Sequence, residues 1–202
     1  MRKIAALIFP GFELLDVFGP LEMFGLLADD YRLTLIAEVR GPVPSNQGPS
    51  AQAVATTTDP FDYDILFVPG GAGTRREVEN AGLLSWIAMA SAKAEYTLSV
   101  CTGSALLARA AVLDHRRATT NKAAFEWVAS QGPKVDWVRQ ARWVQDGTVL
   151  TSSGVSAGMD MALGAIELMH GRDCALEVAK WCEYTWHEDR DHAPFAKVHG
   201  LV

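Results

Sequence analysis

The stretch Tyr96-Thr97-Leu98-Ser99-Val100-Cys101-Thr102-Gly103-Ser104-Ala105-Leu106-Leu107-Ala108 decides the fold. Tyr96 to Val100, the right length for a strand, meets a thiol, and small and apolar residues suited to a tightly packed helix follow. A strand that turns sharply into a helix through a nucleophile has the logic of the G-x-S-x-G elbow, with Cys in place of Ser. Gly103 stands two after Cys101, as such a turn requires. Ser99 stands two before it, where the commoner motif has Gly, so the match is partial. A helix N-terminus behind Cys101 is expected to lower its thiol pKa from ~8.5 into roughly the 3.5–7.5 range. The plain alternative is a buried structural Cys.

Outward from this elbow, short apolar strands alternate with helices. Ile4 to Phe9 reads as a central parallel strand and Phe12 to Leu27 as a helix that Gly19-Pro20 kinks or restarts. Arg32 to Val39 is a second strand, Gly41 to Thr58 a hairpin excursion, and Ile65 to Val68 another buried strand. Leu83 to Ala94, Ala124 to Ser130, Ser156 to Met169 and Cys174 to Tyr184 read as helices. Gln145-Asp146-Gly147 reads as a hairpin turn between Arg142–Val144 and Thr148–Thr151. The alternation indicates an α/β fold with a mainly parallel sheet in one domain, 1–202.

Composition bounds the function. Apolar residues are 49% and charged residues 21% of 202, ordinary globular values that exclude disorder and coiled coil. The net charge of −6 argues against a nucleic-acid surface. No apolar run reaches the ~18 residues of a membrane span, and the N-terminal run ends at Pro10-Gly11 without a cleavage site. Cys101, Cys174 and Cys182 are an odd set, not a disulfide framework, so a reducing, cytoplasmic setting is expected. Cys174 and Cys182, at i and i+8, read as helix packing.

Two further stretches carry chemistry. Val68-Pro69-Gly70-Gly71-Ala72-Gly73-Thr74 follows a strand and offers backbone N–H groups that could hold an anion. It lacks the G-x-x-x-x-G-K-[ST] spacing of a phosphate loop. In Leu14-Leu15-Asp16-Val17-Phe18-Gly19-Pro20, Asp16 is a lone carboxylate among apolar residues. Buried, it would keep its proton and face a thiolate as an acid; otherwise it caps a helix starting near Pro20. Glu13 and Glu22 are rival carboxylates whose positions read as more exposed.

Taken in order, Leu15-Asp16-Val17-Phe18-Gly19-Pro20, Asp64-Ile65-Leu66-Phe67-Val68-Pro69-Gly70-Gly71 and Ser99-Val100-Cys101-Thr102-Gly103-Ser104 resemble the ThiJ/PfpI superfamily of class I glutamine amidotransferase-like folds. Arg117-Ala118-Thr119-Thr120 and Ser153-Gly154-Val155-Ser156-Ala157-Gly158-Met159-Asp160 extend the likeness. The Ser-Val-Cys-Thr-Gly elbow with Asp in the early acidic slot looks like the isocyanide hydratase branch. The resemblance implies a flavodoxin-like three-layer sandwich and a homodimer. It implies Cys101 as nucleophile, Asp16 as its carboxyl partner, and the amides of Gly70, Gly71 and Thr102 around an anion site, with the Thr102 hydroxyl positioning thiol or water.

Many superfamily members carry His after Thr-Thr; here Asn121 follows, and it cannot take a proton at neutral pH. His115, between Asp114 and Arg116, reads as a loop residue. The tail Tyr184 to His192 has metal-binding residue types in the wrong spacing and reads as a hydrophilic terminal segment, so no metal and no cofactor are expected. The implied activity is hydration of an isocyanide to an N-substituted formamide through a cysteine thioimidate. Glyoxalase or deglycase action on methylglyoxal and a cysteine redox sensor are the alternatives. A small molecule is the expected partner. DNA binding by this chain is not expected, because the sequence shows no basic helix-turn-helix. The substrate's R group stays open; Trp86, Phe125, Trp127, Trp137, Trp143 and Trp181 are candidates to line a pocket or a dimer core.

Overall fold

A computed structural model describes residues 1–202. The chain runs β1 (Arg2–Leu7), α1 (Leu14–Gly25), β2 (Tyr31–Ala37), β3 (Gly41–Pro44), β4 (Ser50–Ala53), β5 (Ala55–Thr56), β6 (Ile65–Val68), α2 (Thr74–Glu77), α3 (Ala81–Lys93) and β7 (Tyr96–Val100). It continues α4 (Gly103–Arg109), β8 (Arg117–Ala118), α5 (Phe125–Gln131), β9 (Asp136–Trp137), β10 (Trp143–Asp146), β11 (Val149–Ser152), α6 (Ala157–His170), α7 (Arg172–Trp181) and α8 (Phe195–Val198).

Seven strands form the central sheet in the order β10-β11-β7-β6-β1-β2-β5. All pair in parallel except β10, which pairs antiparallel with β11 across the Gln145-Asp146-Gly147 turn. Ile4, Leu7, Ile65, Leu66 and Phe67 are fully buried, because helices cover both faces and leave no solvated side. Helices α1, α6 and α7 pack together on one face, and α2, α3 and α5 pack around α4 on the other. The mainly parallel α/β fold expected from the alternation, and the three-layer sandwich that the resemblance implied, are what forms.

Several local readings are refined. The helix over Phe12–Leu27 is one continuous α1 with Pro20 inside it and no restart. Asp16 consequently lies in the first turn of α1 as a fully buried residue and caps nothing. The N-terminal run is a central strand between β6 and β2. The excursion is the antiparallel β3–β4 pair, followed by β5 at the sheet edge. The short parallel pair β8–β9 and the one-turn helices α2 and α8 had no periodicity to announce them. No helix is long and apolar enough to cross a membrane.

The connections place the chemistry. From β1 the chain winds outward through β2 and β5, then returns to β6 and winds the other way through β7 and β11. The order reverses between β1 and β6, and loops leaving adjacent strands there diverge to open a crevice at their carboxyl ends. Asp16 follows β1, Gly70 and Gly71 follow β6, and Cys101 follows β7.

Candidate active site

Cys101 takes φ +56, a left-handed conformation that a non-glycine residue adopts only under constraint. The constraint is visible. Its N–H donates to the Ser152 and Ser153 carbonyls (3.1 and 3.3 Å). Its own carbonyl accepts from Thr120 Oγ1 (2.9 Å) and Ser104 Oγ (3.1 Å). A Cβ on Gly103 would come within 2.7 Å of the Pro69 oxygen, so the helix can leave this turn only through Gly. The elbow read from the sequence is present, with Ser99 at the tolerated position two before the thiol.

Asp16 reaches the elbow from the first turn of α1, the helix that follows β1. Its Oδ2 accepts from the Gly70 N–H at 3.0 Å, while Oδ1 is buried with no hydrogen-bond partner. The carboxyl and the thiol are close enough to shift each other. Burial, more than the Gly70 hydrogen bond can offset, pushes the Asp16 pKa up to about 8, so at neutral pH it holds a proton. Glu13 and Glu22 do not compete: Glu22 lies exposed on α1, and Glu13 is held by the side chains of Gln47 and Asn46.

The thiol corrects an expectation. The Cys101 pKa is raised, not lowered: burial dominates and the Asp16 charge adds to it. The Thr102 backbone N–H and the Asn121 amide favour the thiolate but do not overcome that burial. The helix behind the elbow, α4, is only 7 residues long, and Cys101 is largely withdrawn from solvent at the floor of the site. Cys101 is thus a protonated thiol beside a protonated acid.

A second correction concerns the anion site. The Gly70 N–H is spent on Asp16, and the Gly71 N–H donates to Thr102 Oγ1 at 3.1 Å. The Thr102 hydroxyl also accepts from Thr74 Oγ1 (3.1 Å), so it ties the two loops together and does not face the thiol. Gly71 itself sits at φ +126, and a Cβ there would lie 2.6 Å from the Glu13 nitrogen. Of the expected amides only that of Thr102 addresses the sulfur.

Asn121 joins the site and His115 does not. Asn121 Oδ1 accepts from the Ala124 N–H (3.0 Å), which leaves its amide nitrogen to donate to Cys101. His115 is exposed in a turn at φ +63. Above the thiol opens a cleft of about 620 Å³ whose walls include Arg75, Lys122, Phe125, Trp127, Val155 and Leu201. Of the aromatic candidates, Phe125 and Trp127 line it. Trp86 and Trp143 are buried, Trp137 packs edge-on to Phe125, and Trp181 is exposed.

The tail is more than a solvated end. Tyr184 Oη (3.0 Å) and the His187 N–H (2.9 Å) donate to Asp160 Oδ1, whose Oδ2 pairs with buried Arg142. Glu188 pairs with Arg172. Anchored so, the chain returns through α8 and sets His199 and Leu201 on the cleft wall. Nothing in the residue pattern of the tail signalled that return.

A family model described as the DJ-1/PfpI family matches residues 2–168. The isonitrile hydratase of Pseudomonas putida is 35% identical over 184 residues, covering 90% of this chain and 78% of that protein. The HTH-type transcriptional regulator CdhR of Pseudomonas aeruginosa is 30% identical over 178 residues, 86% of this chain but only 52% of the regulator. A crystal structure of a ThiJ/PfpI family protein from Pseudomonas syringae superposes with a TM-score of 0.83 at 33% identity, covering 91% of this chain and 75% of that one.

Proposed function

We propose that this chain, which belongs to the DJ-1/PfpI family, hydrates an isocyanide, R–NC, to the N-substituted formamide R–NH–CHO. The observation that carries the reading is the buried, protonated Asp16 carboxyl, one oxygen unpartnered, beside a protonated Cys101 thiol on a constrained elbow. The similarity to the Pseudomonas putida isonitrile hydratase supports it.

The chemistry follows from that pairing. The sulfur bonds to the terminal isocyanide carbon while the Asp16 carboxyl delivers its proton to the same carbon and takes up the proton leaving the thiol. The product is the thioimidate R–N=CH–S–Cys101, and the carboxyl is again protonated. Water then adds to the imidate carbon and a proton reaches nitrogen. The C–S bond breaks, releasing the formamide and restoring the thiol. The sum is R–NC + H₂O → R–NH–CHO. The Thr102 N–H and the Asn121 amide stabilise charge on sulfur as it forms and leaves.

Acyl transfer would want free amides for an oxyanion. The engaged N–H groups of Gly70 and Gly71 suit a reaction that needs a proton at carbon instead. The redox-sensor alternative wants a low-pKa, exposed thiol, and Cys101 is buried with its pKa raised. The reading includes a cytoplasmic setting, consistent with three free cysteines, and a homodimer that would cover Leu15 and Phe18, exposed on α1. A ligand-responsive domain is the second reading, favoured by the match to the regulator CdhR.

The test is a steady-state assay with a simple alkyl isocyanide on wild type and Cys101→Ala. Formamide production that disappears in the variant is the expected result. Equal activity in both, or tight binding with no formamide from wild type, would overturn the reading.

A further inference from the structure

Lys122 stands in the wall of the Cys101 cleft and is only 4% exposed. Its ammonium has three donors, of which one is used, toward Thr119 Oγ1 at 2.7 Å. The Thr119 hydroxyl passes its own proton to the Val138 carbonyl at 2.8 Å, so it serves Lys122 as an acceptor. The Phe125 ring lies 5.6 Å from Nζ. Lys122 makes no ion pair, although a buried ammonium is costly to keep without one.

Arg75, on the same cleft wall, also makes no ion pair. Its guanidinium lies 4.0 Å over the Trp127 ring, with Nη1 3.3 Å from Thr74 Oγ1. The cleft's acidic members are otherwise engaged: Glu126 pairs with Arg139, and Glu13 is held by Gln47 and Asn46. His199 completes the titratable groups on the wall.

The geometry points to a carboxylate subsite: Lys122, assisted by Arg75, binds an anionic carboxylate on the substrate whose other end meets Cys101. This inference rests on the proposed hydration and deepens it, naming the substrate class as isocyanides that carry a carboxylate. A bound carboxylate would supply the missing counter-ion and fill the free donors of Lys122. Burial alone holds the Lys122 pKa down to about 7, so such a ligand would also draw the group back to its charged form.

The experiment compares isocyanoacetate with its neutral methyl ester at pH 7, on wild type, Lys122→Met, Lys122→Arg and Arg75→Gln. The carboxylate-to-ester ratio of kcat/KM is expected to favour the carboxylate in wild type. It should fall about tenfold or more in Lys122→Met, the effect of losing one charge-assisted hydrogen bond. It should fall less in Arg75→Gln and be partly kept in Lys122→Arg. A ratio that Lys122→Met leaves unchanged overturns the subsite.

If neither isocyanide turns over, the hydration reading fails on its own, and the subsite is judged by alkylation. The rate of Cys101 modification by iodoacetate is divided by that for iodoacetamide, with peptide mapping separating Cys174 and Cys182. Dividing the two removes any general change in thiol reactivity or folding. A quotient that drops about tenfold in Lys122→Met supports the subsite; one that does not move refutes it.

Discussion

The Thr120 hydroxyl donates to the carbonyl oxygen of Cys101 across 2.9 Å, linking the loop after β8 to the one residue of β7's exit that holds a positive φ. Ser104 reaches the same oxygen at 3.1 Å from α4, so two hydroxyls hold the elbow in its constrained form. Thr120→Val keeps the shape and removes one of them. We expect about 1 kcal/mol of stability to be lost. We also expect a fall in kcat with little change in KM, because the thiol's aim is disturbed and the cleft is not. Thermal denaturation and steady-state kinetics check both; a change confined to KM would contradict this role.

The acid should be visible in the pH profile. Asp16 holds its proton up to about pH 8, so kcat/KM for a neutral isocyanide should fall as pH rises through that value. Asp16→Asn should lower kcat by about 10²–10⁴, the usual worth of a positioned proton donor, and abolish that limb. Activity that instead climbs steadily to pH 9.5 would mean that thiolate formation, not the acid, limits the reaction.

The same carboxyl bears on stability. In the unfolded chain an Asp ionises near its ordinary value of about 4, whereas the folded chain keeps the proton to about 8. Between those values the native state binds more protons. Its stabilisation is therefore complete at low pH and is lost as pH rises toward 8. Asp16→Asn cannot ionise, so its urea midpoint should gain on wild type from pH 5 to pH 8.5. Parallel curves for the two proteins would show that Asp16 is ionised in the fold.

Gly154 gives a steric test. A Cβ there would lie 2.9 Å from Cys101 Sγ and closer still to the Asn121 amide nitrogen. Gly154→Ala should displace Asn121 from the sulfur and reduce turnover at least tenfold, about the effect of 1.4 kcal/mol on a barrier. Crystals of the variant would show the moved amide; wild-type kcat/KM would show that the contact is dispensable.

Arg142 and Asp160 form a pair that is all but inaccessible to solvent. Arg142→Met leaves a buried carboxylate uncompensated and should cost about 3–5 kcal/mol. It should also expose the segment after α7 to limited proteolysis, since Tyr184 and His187 are tied to Asp160. Glu188→Gln, which removes a solvent-screened surface partner of Arg172, should leave the denaturation midpoint close to wild type. Equal sensitivity in the two variants would place the anchor elsewhere.

How far the residues alone carried the reading depended on range. The strand Ile65–Val68 is legible to the residue, because burial on both faces demands an unbroken apolar run, whereas Tyr96–Val100 buries Thr97 and Ser99 and is marked by its place before the thiol. Cys101 and Asp16 were legible for a related reason: each is a chemical oddity inside such a run. The Thr102 hydroxyl, the Gly71 amide and the thiol's ionisation were misread, because each depends on which loop arrives opposite. Gly71 faces Thr102 across 31 positions of sequence, and no local pattern records that meeting. Lys122 and His199 carry no local mark for the same reason: only the closed fold shows that one is buried and that both line the cleft over the thiol.

The reacting pair is drawn from the helix that follows β1 and the turn that follows β7, strands that do not touch and are joined only through β6 between them. A chain that has not completed its sheet has a cysteine and an aspartate but no couple. A substrate-mimicking reagent that needs both would therefore label native molecules alone. Its stoichiometry would count the correctly folded fraction of a preparation, an internal titrant that ordinary thiol reagents, reading Cys174 and Cys182 as well, cannot provide.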